Sequence, residues 1–391
     1  MASYILSARR TPIGKMLGSL SSVPAPQLAA AAIQAALADS RVPADSVDQV
    51  ILGNVLPAGV GQAPARQAAL AAGLPPTVGA LTINKVCGSG LMAVMLADQA
   101  IRAGDASVIV AGGMENMSLA PHLLSGVRSG WKFGHQQAID SMLHDGLWCA
   151  RENKGMGSLS DYTAAKCGVS RADQDAFSVE SHRRASAAQE AGKFAAEIAA
   201  VRVKAGKAEV LIDRDEGPRP GGTLADLAKL RPAFAADGTA TAGNASQISD
   251  GAAALVVAGE SGAKGLPSSI RARIVASAVN SDEPKDLFTA PIGAVEKVLA
   301  KAGMKVGDID LFELNEAFAA QTLACTGPLG INSEKLNVNG GAIALGHPIG
   351  ASGARVLVTL LHALADRQQR YGLAALCLGG GEAVAMIVER Q

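Results

Sequence analysis

The stretch Lys85-Val86-Cys87-Gly88-Ser89-Gly90 carries the first group in the chain with an evident chemical use. An apolar run leads into it and a helical pattern, Leu91 to Arg102, leaves it, so Cys87 falls at a strand-to-helix corner. Helix N-terminal amides and the helix dipole stabilise a thiolate there, and the thiolate is the nucleophilic form of cysteine. The flanking glycines permit a sharp turn and leave room for a substrate. A structural thiol is the competing reading, since free cysteine is among the most buried residue types. Three further groups lie in the second half of the chain. Asn315 follows a strand in Asn315-Glu316-Ala317-Phe318, His347 lies in the glycine-rich loop 339–348, and Cys377 ends a strand ahead of Gly379, Gly380 and Gly381. Singly, each has an ordinary role as turn asparagine, exposed loop histidine or core cysteine. Their shared position at the C-terminal ends of strands, where α/β folds bind ligands, makes them candidates for one site.

The elements that must hold these groups can be read from the pattern. The chain has 391 residues, enough for two or three domains with a large core. Its formal net charge is 0, and Arg9-Arg10 is two charges rather than a patch, which speaks against nucleic acid as a partner and against a charged disordered tail. Hydrophobic residues make up 49% but aromatics only 3%, so the apolar mass is Ala, Val, Leu and Ile, the balance of a tightly packed α/β protein. No run of about 18 apolar residues stands out, so no membrane span is expected. The strand-like Tyr4–Ala8 opens the chain and Val388–Gln391 is no peroxisomal address, so no targeting segment is expected either. The 5 cysteines are scattered, which fits a reducing cytoplasm rather than a disulfide framework. No Cys or His spacing suits a metal, so none is expected.

In order, strands are expected at 4–9, 49–54, 79–86 and 107–113, with helices at 27–38, 64–72 and from Leu91 to Arg102. Strands that alternate with helices and read as unbroken apolar runs predict a mostly parallel sheet covered on both faces. Residues 117–247 change character, holding both tryptophans and the turn-rich tract Glu216–Gly222. One helix is clear there, starting with a capping-box-like Ser170 and Asp173 and ending at Gly192. The α/β pattern resumes with strands at 252–258, 270–279, 310–315 and 373–378, and with helices at 291–302, from Ala317 and at 350–365. The second block echoes the first. Val47–Asn54 resembles Ile309–Asn315, and Cys87 with its helix and Gly112-Gly113 strand resembles His347 with its helix and Gly379-Gly380 strand. Two similar halves with a site between them follow from that echo.

At this point the blocks resemble a known family. Val86–Gly90, Asn315–Phe318, Gly346-His347-Pro348 and Cys377–Gly381 are similar to the signature blocks of the thiolases, as are Ala111–Glu115 and Lys229–Phe234. The resemblance spans the chain in the right order and is strongest to the bacterial acetoacetyl-CoA branch. It implies an α/β thiolase-like fold, two similar βαβαβαββ halves packed as layered α/β/α/β/α, with an inserted loop domain. The expected division is 1–117, completed by about 248–270, for the N-terminal half, 118–247 for the loop domain over the coenzyme A site, and 271–391 for the C-terminal half. It implies reversible Claisen condensation of acetyl-CoA with acetyl-CoA or acyl-CoA, and coenzyme A-dependent thiolysis of 3-ketoacyl-CoA, by a homodimer or homotetramer without a cofactor. In it Cys87 carries the acyl group, His347 takes its proton and Cys377 is the second acid/base. Asn315 and His347 hold one oxyanion, and the amides of Cys87 and Gly379 hold the other. Arg219 and Ser246 match positions near adenine-ribose and pantetheine. Phe234, Ala242, Ala317 and Phe318 match the pantetheine channel, and Leu147 and Met156 positions nearer the nucleotide and acyl group.

These residue types suit the chemistry independently. Acyl transfer through a thioester needs a thiolate, carbon–carbon bond formation needs a base for a weak α-proton, and both put charge on a thioester oxygen. The chain departs from the branch at Gly155, where its members usually have His, at Leu287-Phe288 in place of Met-Gly, at Asp226 and at Glu382. Removing the imidazole opens space, and a Phe288 free to rotate away would leave it open, which predicts acceptance of chains longer than C4. Rival readings are a β-ketoacyl synthase, which lacks a second cysteine like Cys377, a papain-like protease, whose His and Asn follow in the other order, and a non-catalytic acyl-CoA carrier, which has no use for two thiols.

Overall fold

The computed structural model describes residues 2–264, 268 and 270–391. Met1 and residues 265–267 and 269, which fall within the expected stretches 1–117 and 248–270, lie outside the described residues. The first block runs β1 (Ser3–Arg10), β2 (Gly14–Lys15), α1 (Ala25–Ser40), β3 (Gln49–Gly53), α2 (Pro64–Ala71), β4 (Gly79–Ile83), α3 (Ser89–Ala103) and β5 (Val108–Asn116). A long excursion holds β6 (His122–Leu124), β7 (Ala138–Asp140), β8 (Trp148–Cys149), β9 (Lys154–Gly155), α4 (Met156–Cys167), α5 (Arg171–Glu190), β10 (Val201–Ala205), β11 (Ala208–Ile212) and α6 (Leu224–Ala228). The chain then returns through β12 (Ser249–Gly259) to β13 (Ala272–Ser281), α7 (Ala290–Ala302), β14 (Leu311–Leu314), α8 (Ala319–Leu329), α9 (Ala342–Leu345), α10 (Ile349–Asp366), β15 (Tyr371–Leu378) and β16 (Glu382–Arg390).

The strands follow the order β14-β15-β16-β13-β1-β12-β5-β3-β4, with β2 on β12. The expectation of a mostly parallel sheet is corrected here. Among the described residues the parallel strand pairs are β3–β4, β3–β5 and β14–β15, and the pairs at the centre, β1–β12, β1–β13, β12–β5, β13–β16 and β15–β16, are antiparallel. Continuous apolar strands report burial on both faces, and helices cover both faces here whatever the strand direction. β16 completes the C-terminal half and was not assigned from sequence. β4 stops at Ile83, three residues short of expectation, because residues 84–89 form the turn that presents Cys87.

β1 and β13 share only two register pairs, Tyr4–Arg273 and Ile5–Ala272, and this narrow seam joins the two half-sheets. The layers follow from three apolar cores. α1 and α2 pack on the outer face of the first half-sheet. α7 and α8 cover the outer face of the second. Between the half-sheets lie α3 and α10, packed on strands of both. These two helices touch backbone to backbone, since a Cβ added to Gly90 would sit 2.5 Å from Ala354 N and one added to Gly353 would sit 2.3 Å from Leu91 N. α10 has the length and composition of a membrane-crossing helix, but 83% of it is buried inside the protein.

The excursion is fastened to the body by charge. The fully buried Arg10 donates to Glu197 at 2.7 Å and to both oxygens of Asp215 at 2.7 and 2.9 Å. Removing one partner of such a buried pair costs about 3–5 kcal/mol. α5 begins as expected, with Ser170 Oγ accepting from Asp173 N at 3.1 Å and the Asp173 carboxylate accepting from Ser170 N at 3.3 Å.

Candidate active site

The turn after β4 is built by its own side chains. Asn84 Oδ1 accepts from Val86 N at 2.9 Å, and Ser89 Oγ accepts from Lys85 N at 2.8 Å while donating to Val86 O at 2.7 Å. Val86 is left at φ 47, a left-handed conformation that is costly for a β-branched residue and that surrounding structure must enforce. Gly88 follows because a Cβ there would lie 2.4 Å from Leu378 Cδ2. Cys87 is thereby turned toward the end of β15, where its sulfur accepts from the Gly379 N–H as well as from its own.

His347 comes from the loop between α9 and α10. Its N–H donates to Gln247 O at 3.0 Å. Its Nδ1 lies 2.7 Å from Ser352 Oγ, which is 2.9 Å from Pro348 O. With the serine hydroxyl donating to that carbonyl, Oγ accepts Nδ1–H, and the lone pair of the neutral ring sits on Nε2. Asn315, just past β14, is buried beside the ring with Nδ2 3.5 Å from His347 Nδ1, and its Oδ1 has no hydrogen-bond partner among the described residues.

Cys87, His347, Cys377 and Gly379 converge on a cavity of about 720 Å³. Leu147, Met156, Phe234, Ser246, Ala317 and Phe318 line it too. Ser246 reaches it because its N–H donates to Ala317 O at 3.0 Å, which lays 245–246 alongside 317–318. Asn315 sits behind His347 rather than on the surface of the cavity. Arg219 and Ala242 are exposed and do not line it, and the Arg219 N–H donates to His182 Nδ1 at 3.2 Å.

The cavity has two apolar walls. One gathers Met117, Met142 and Ile349, and Cys87 packs on it. The other gathers Phe288, Phe318 and Cys377. Met117, Met142, Trp148 and Ile349 were missed from sequence. The first three come from the aperiodic excursion, while Ile349 had a signal in its place directly after His347-Pro348. Phe288 is not free to rotate away as expected from sequence. It is 2% exposed, its ring stands edge-on to Phe318 at 5.3 Å, and its carbonyl accepts from Cys325 Sγ at 3.2 Å. Gly155, by contrast, has room for a Cβ, which would make an ordinary contact with the Trp148 ring at 3.7 Å.

The electrostatics correct the expectation of a stabilised thiolate. Burial pushes the Cys87 thiol up to about 12, the nearby Glu115 adds to the rise, and the two backbone N–H groups recover only part of it. Burial and the neighbouring Cys87 also push Cys377 well above the ordinary thiol value. Burial, with a smaller contribution from the Arg355 charge, pulls His347 down to about 3. The site thus rests as two thiols and a neutral imidazole rather than as an ion pair. Among the described residues no three His, Cys, Asp or Glu side chains group as a metal would require.

The chain was compared with known proteins. The family described as thiolase, N-terminal domain, matches residues 3–261, and the thiolase C-terminal domain matches residues 268–390. The acetyl-CoA acetyltransferase of Pseudomonas aeruginosa is 52% identical over 387 residues, covering 99% of this chain and 98% of that protein. The acetyl-CoA acetyltransferase of Escherichia coli has the same identity and coverage, 52% over 387 residues. The crystal structure of the Bacillus anthracis acetyl-CoA acetyltransferase superposes with a TM-score of 0.97 at 40% identity, covering 100% of this chain and 99% of that one.

Proposed function

The chain belongs to the thiolase family, and from that premise we propose that it moves acyl groups between coenzyme A thioesters through an acyl-Cys87 intermediate. The observation that carries this reading is the meeting of Cys87, Cys377, His347 and the Gly379 amide in one apolar cavity. In thiolysis, His347 Nε2 takes the Cys87 proton as the sulfur attacks the 3-keto carbon of a 3-ketoacyl-CoA. The bond to the α-carbon breaks, and the departing acetyl-CoA enolate takes its proton from the Cys377 thiol. Coenzyme A then attacks the acyl-Cys87 thioester and its thiol proton restores Cys377, while the Cys87 sulfur leaves with the proton held by His347. Resting thiols suit this order, because Cys377 begins as the acid the step needs. Condensation of acetyl-CoA with acetyl-CoA or acyl-CoA is the same path reversed.

The amides of Cys87 and Gly379 stabilise the charged oxygen at the acyl carbon, and His347 with Asn315 stabilises the enolate oxygen. Phe234, Ser246, Ala317 and Phe318 flank the pantetheine arm, Leu147 lies toward the nucleotide and Met156 toward the acyl end, Ala242 meets the pantetheine arm where it leaves the cavity, and Arg219 meets the nucleotide outside it. Residues 1–117 with 248–270, 118–247 and 271–391 act as N-terminal half, loop domain and C-terminal half. The enzyme works without a cofactor, as a cytoplasmic homodimer or homotetramer in fatty acid metabolism. The test is direct. Incubation with acetyl-CoA should leave one acetyl group on the peptide holding Cys87, and coenzyme A should cleave acetoacetyl-CoA. An adduct confined to Cys377 would reverse the two roles, and absence of both adduct and cleavage would leave the acyl-CoA carrier.

A further inference from the structure

Across the junction of the two halves, Lys85 Nζ lies 2.5 Å from Glu382 Oε2, and Ser281 Oγ donates to the other carboxylate oxygen at 3.2 Å. Lys85 precedes Cys87 by two positions on the turn that carries it, and Glu382 follows Gly379 by three, opening β16 directly after the turn that carries that amide. Between them the turns are in contact. The Gly379 N–H reaches the Cys87 sulfur, a Cβ on Gly379 would lie 3.2 Å from Val86 Cγ1, and Gly88 abuts Leu378. Val86, at φ 47, relaxes unless its surroundings hold it. Among the described residues the two half-sheets join through the short β1–β13 seam, and that seam is not where the turns meet.

We propose that the Lys85–Glu382 ion pair is a latch that sets the Gly379 amide against the Cys87 sulfur, which makes both side chains positioning residues for acyl transfer. This rests on Cys87 being the nucleophile. The pair keeps 24% and 33% of its side-chain surface, so salt reaches it and its effect on rate is modest, about fivefold. A displacement of the donor too small to disturb binding is enough to slow the step it serves.

The experiment compares wild type, Glu382→Gln, Lys85→Met and the exchange Lys85→Glu with Glu382→Lys. It measures single-turnover acetylation of Cys87 by acetyl-CoA at low and at about 1 M salt, with thermal unfolding alongside. Each single change should slow acetylation about fivefold with the acetyl-CoA concentration dependence and the unfolding temperature little changed. The exchange should recover most of the rate. High salt should bring the wild type toward the single variants and leave those unaltered. Wild-type rates in both single variants, an exchange no faster than either, or losses that track unfolding temperature would overturn the latch while leaving Cys87 as nucleophile. A wild type that never acquires the acetyl group would overturn the functional reading itself, and the latch with it.

Discussion

At the end of β3, Asn54 Nδ2 donates to Glu115 at 2.6 Å, and that carboxylate also accepts from Val55 N, Leu56 N and Gly350 N at 3.1 Å or less. At the matching end of β14, Asn315 keeps an unpartnered oxygen, and the β15 position matching Glu115 is Cys377, which opens on the cavity. The serines at the starts of α3 and α10 divide in the same way. Ser89 ties up its own turn, whereas Ser352 Oγ accepts from the His347 ring. One plan therefore serves two ends. The N-terminal half braces its strand end by holding the Glu115 carboxylate with four donors, one of them Gly350 at the start of α10, although Asn54 Oδ1 is as unpartnered as Asn315 Oδ1. The C-terminal half has a cavity-facing thiol in place of that carboxylate, which leaves Asn315 Nδ2 with the His347 ring at 3.5 Å, and a strand end without such bracing marks a place where stability gives way to function. The nucleophile itself inverts the rule, since it sits in the braced half.

The sharpest break of this comparison comes from the two thiols. Cys87→Ala should abolish synthesis and thiolysis alike. Cys377→Ala should lower condensation by several orders of magnitude while labelled coenzyme A still exchanges into acetyl-CoA, because loading Cys87 needs only Cys87 and His347. Equal losses in both assays would deny Cys377 a separate role.

The asparagines give the next largest contrast. Asn315→Ala should cut kcat by about 100-fold, the scale of one oxyanion donor, with little change in unfolding. Asn54→Ala should do the reverse, lowering stability by about 1–3 kcal/mol while activity falls only a few-fold. Denaturant unfolding and steady-state rates on both variants decide it, and matching profiles would erase the distinction between the halves.

A smaller effect concerns pH. His347 is held near 3, below its ordinary value of about 6.5, so it stays neutral at mildly acid pH. The rate of Cys87 acetylation should then show no acid limb near 6.5. The same depression makes folding stability fall as pH drops from about 6.5 toward 3, because the unfolded chain binds the proton first. Cys87 at about 12 should make its alkylation by iodoacetamide climb through pH 9 without levelling near the ordinary thiol value of about 8.5. A plateau near 8.5 would show that the thiol is not held in its protonated form by burial.

Smallest is the effect at Gly155, which has room for a side chain beside Trp148. Gly155→His should shift the kcat/KM ratio of 3-ketohexanoyl-CoA to acetoacetyl-CoA toward C4 by about fourfold per methylene excluded. An unchanged ratio would assign chain length to the opposite wall, where Phe288 is fixed.

What could be read from the sequence differs by region for a physical reason. The groups of the site sit in short blocks whose residue types are set by local turns, so Cys87, Asn315, His347 and Cys377 were legible one by one. Sheet direction was not, because β5 and β12 are buried along their whole length, with apolar runs at 108–111 and 252–258, in an antiparallel pair just as parallel strands would be. The state of Cys87 was not legible either. Its helix N-terminus was visible, but the burial that overrides it comes from the other half and from Met117 and Leu147, which no periodicity connects to it. Phe288 looked adjustable for the same reason, since Phe318 and Cys325 hold it from distant parts of the chain.

The crossing of α3 and α10 bears on how such an enzyme can diversify. α3 begins two residues after Cys87 and α10 two residues after His347, and the helices meet through Gly90 and Gly353 with no side chain between them. The spacing of thiol and imidazole is thus gauged by main-chain atoms at that crossing, which a side chain at Gly90 or Gly353 would force apart. Lineages descended from this chain can retune what they accept by altering Met142, Trp148 or Met156 in the excursion, and each would inherit the same reacting pair at the same separation.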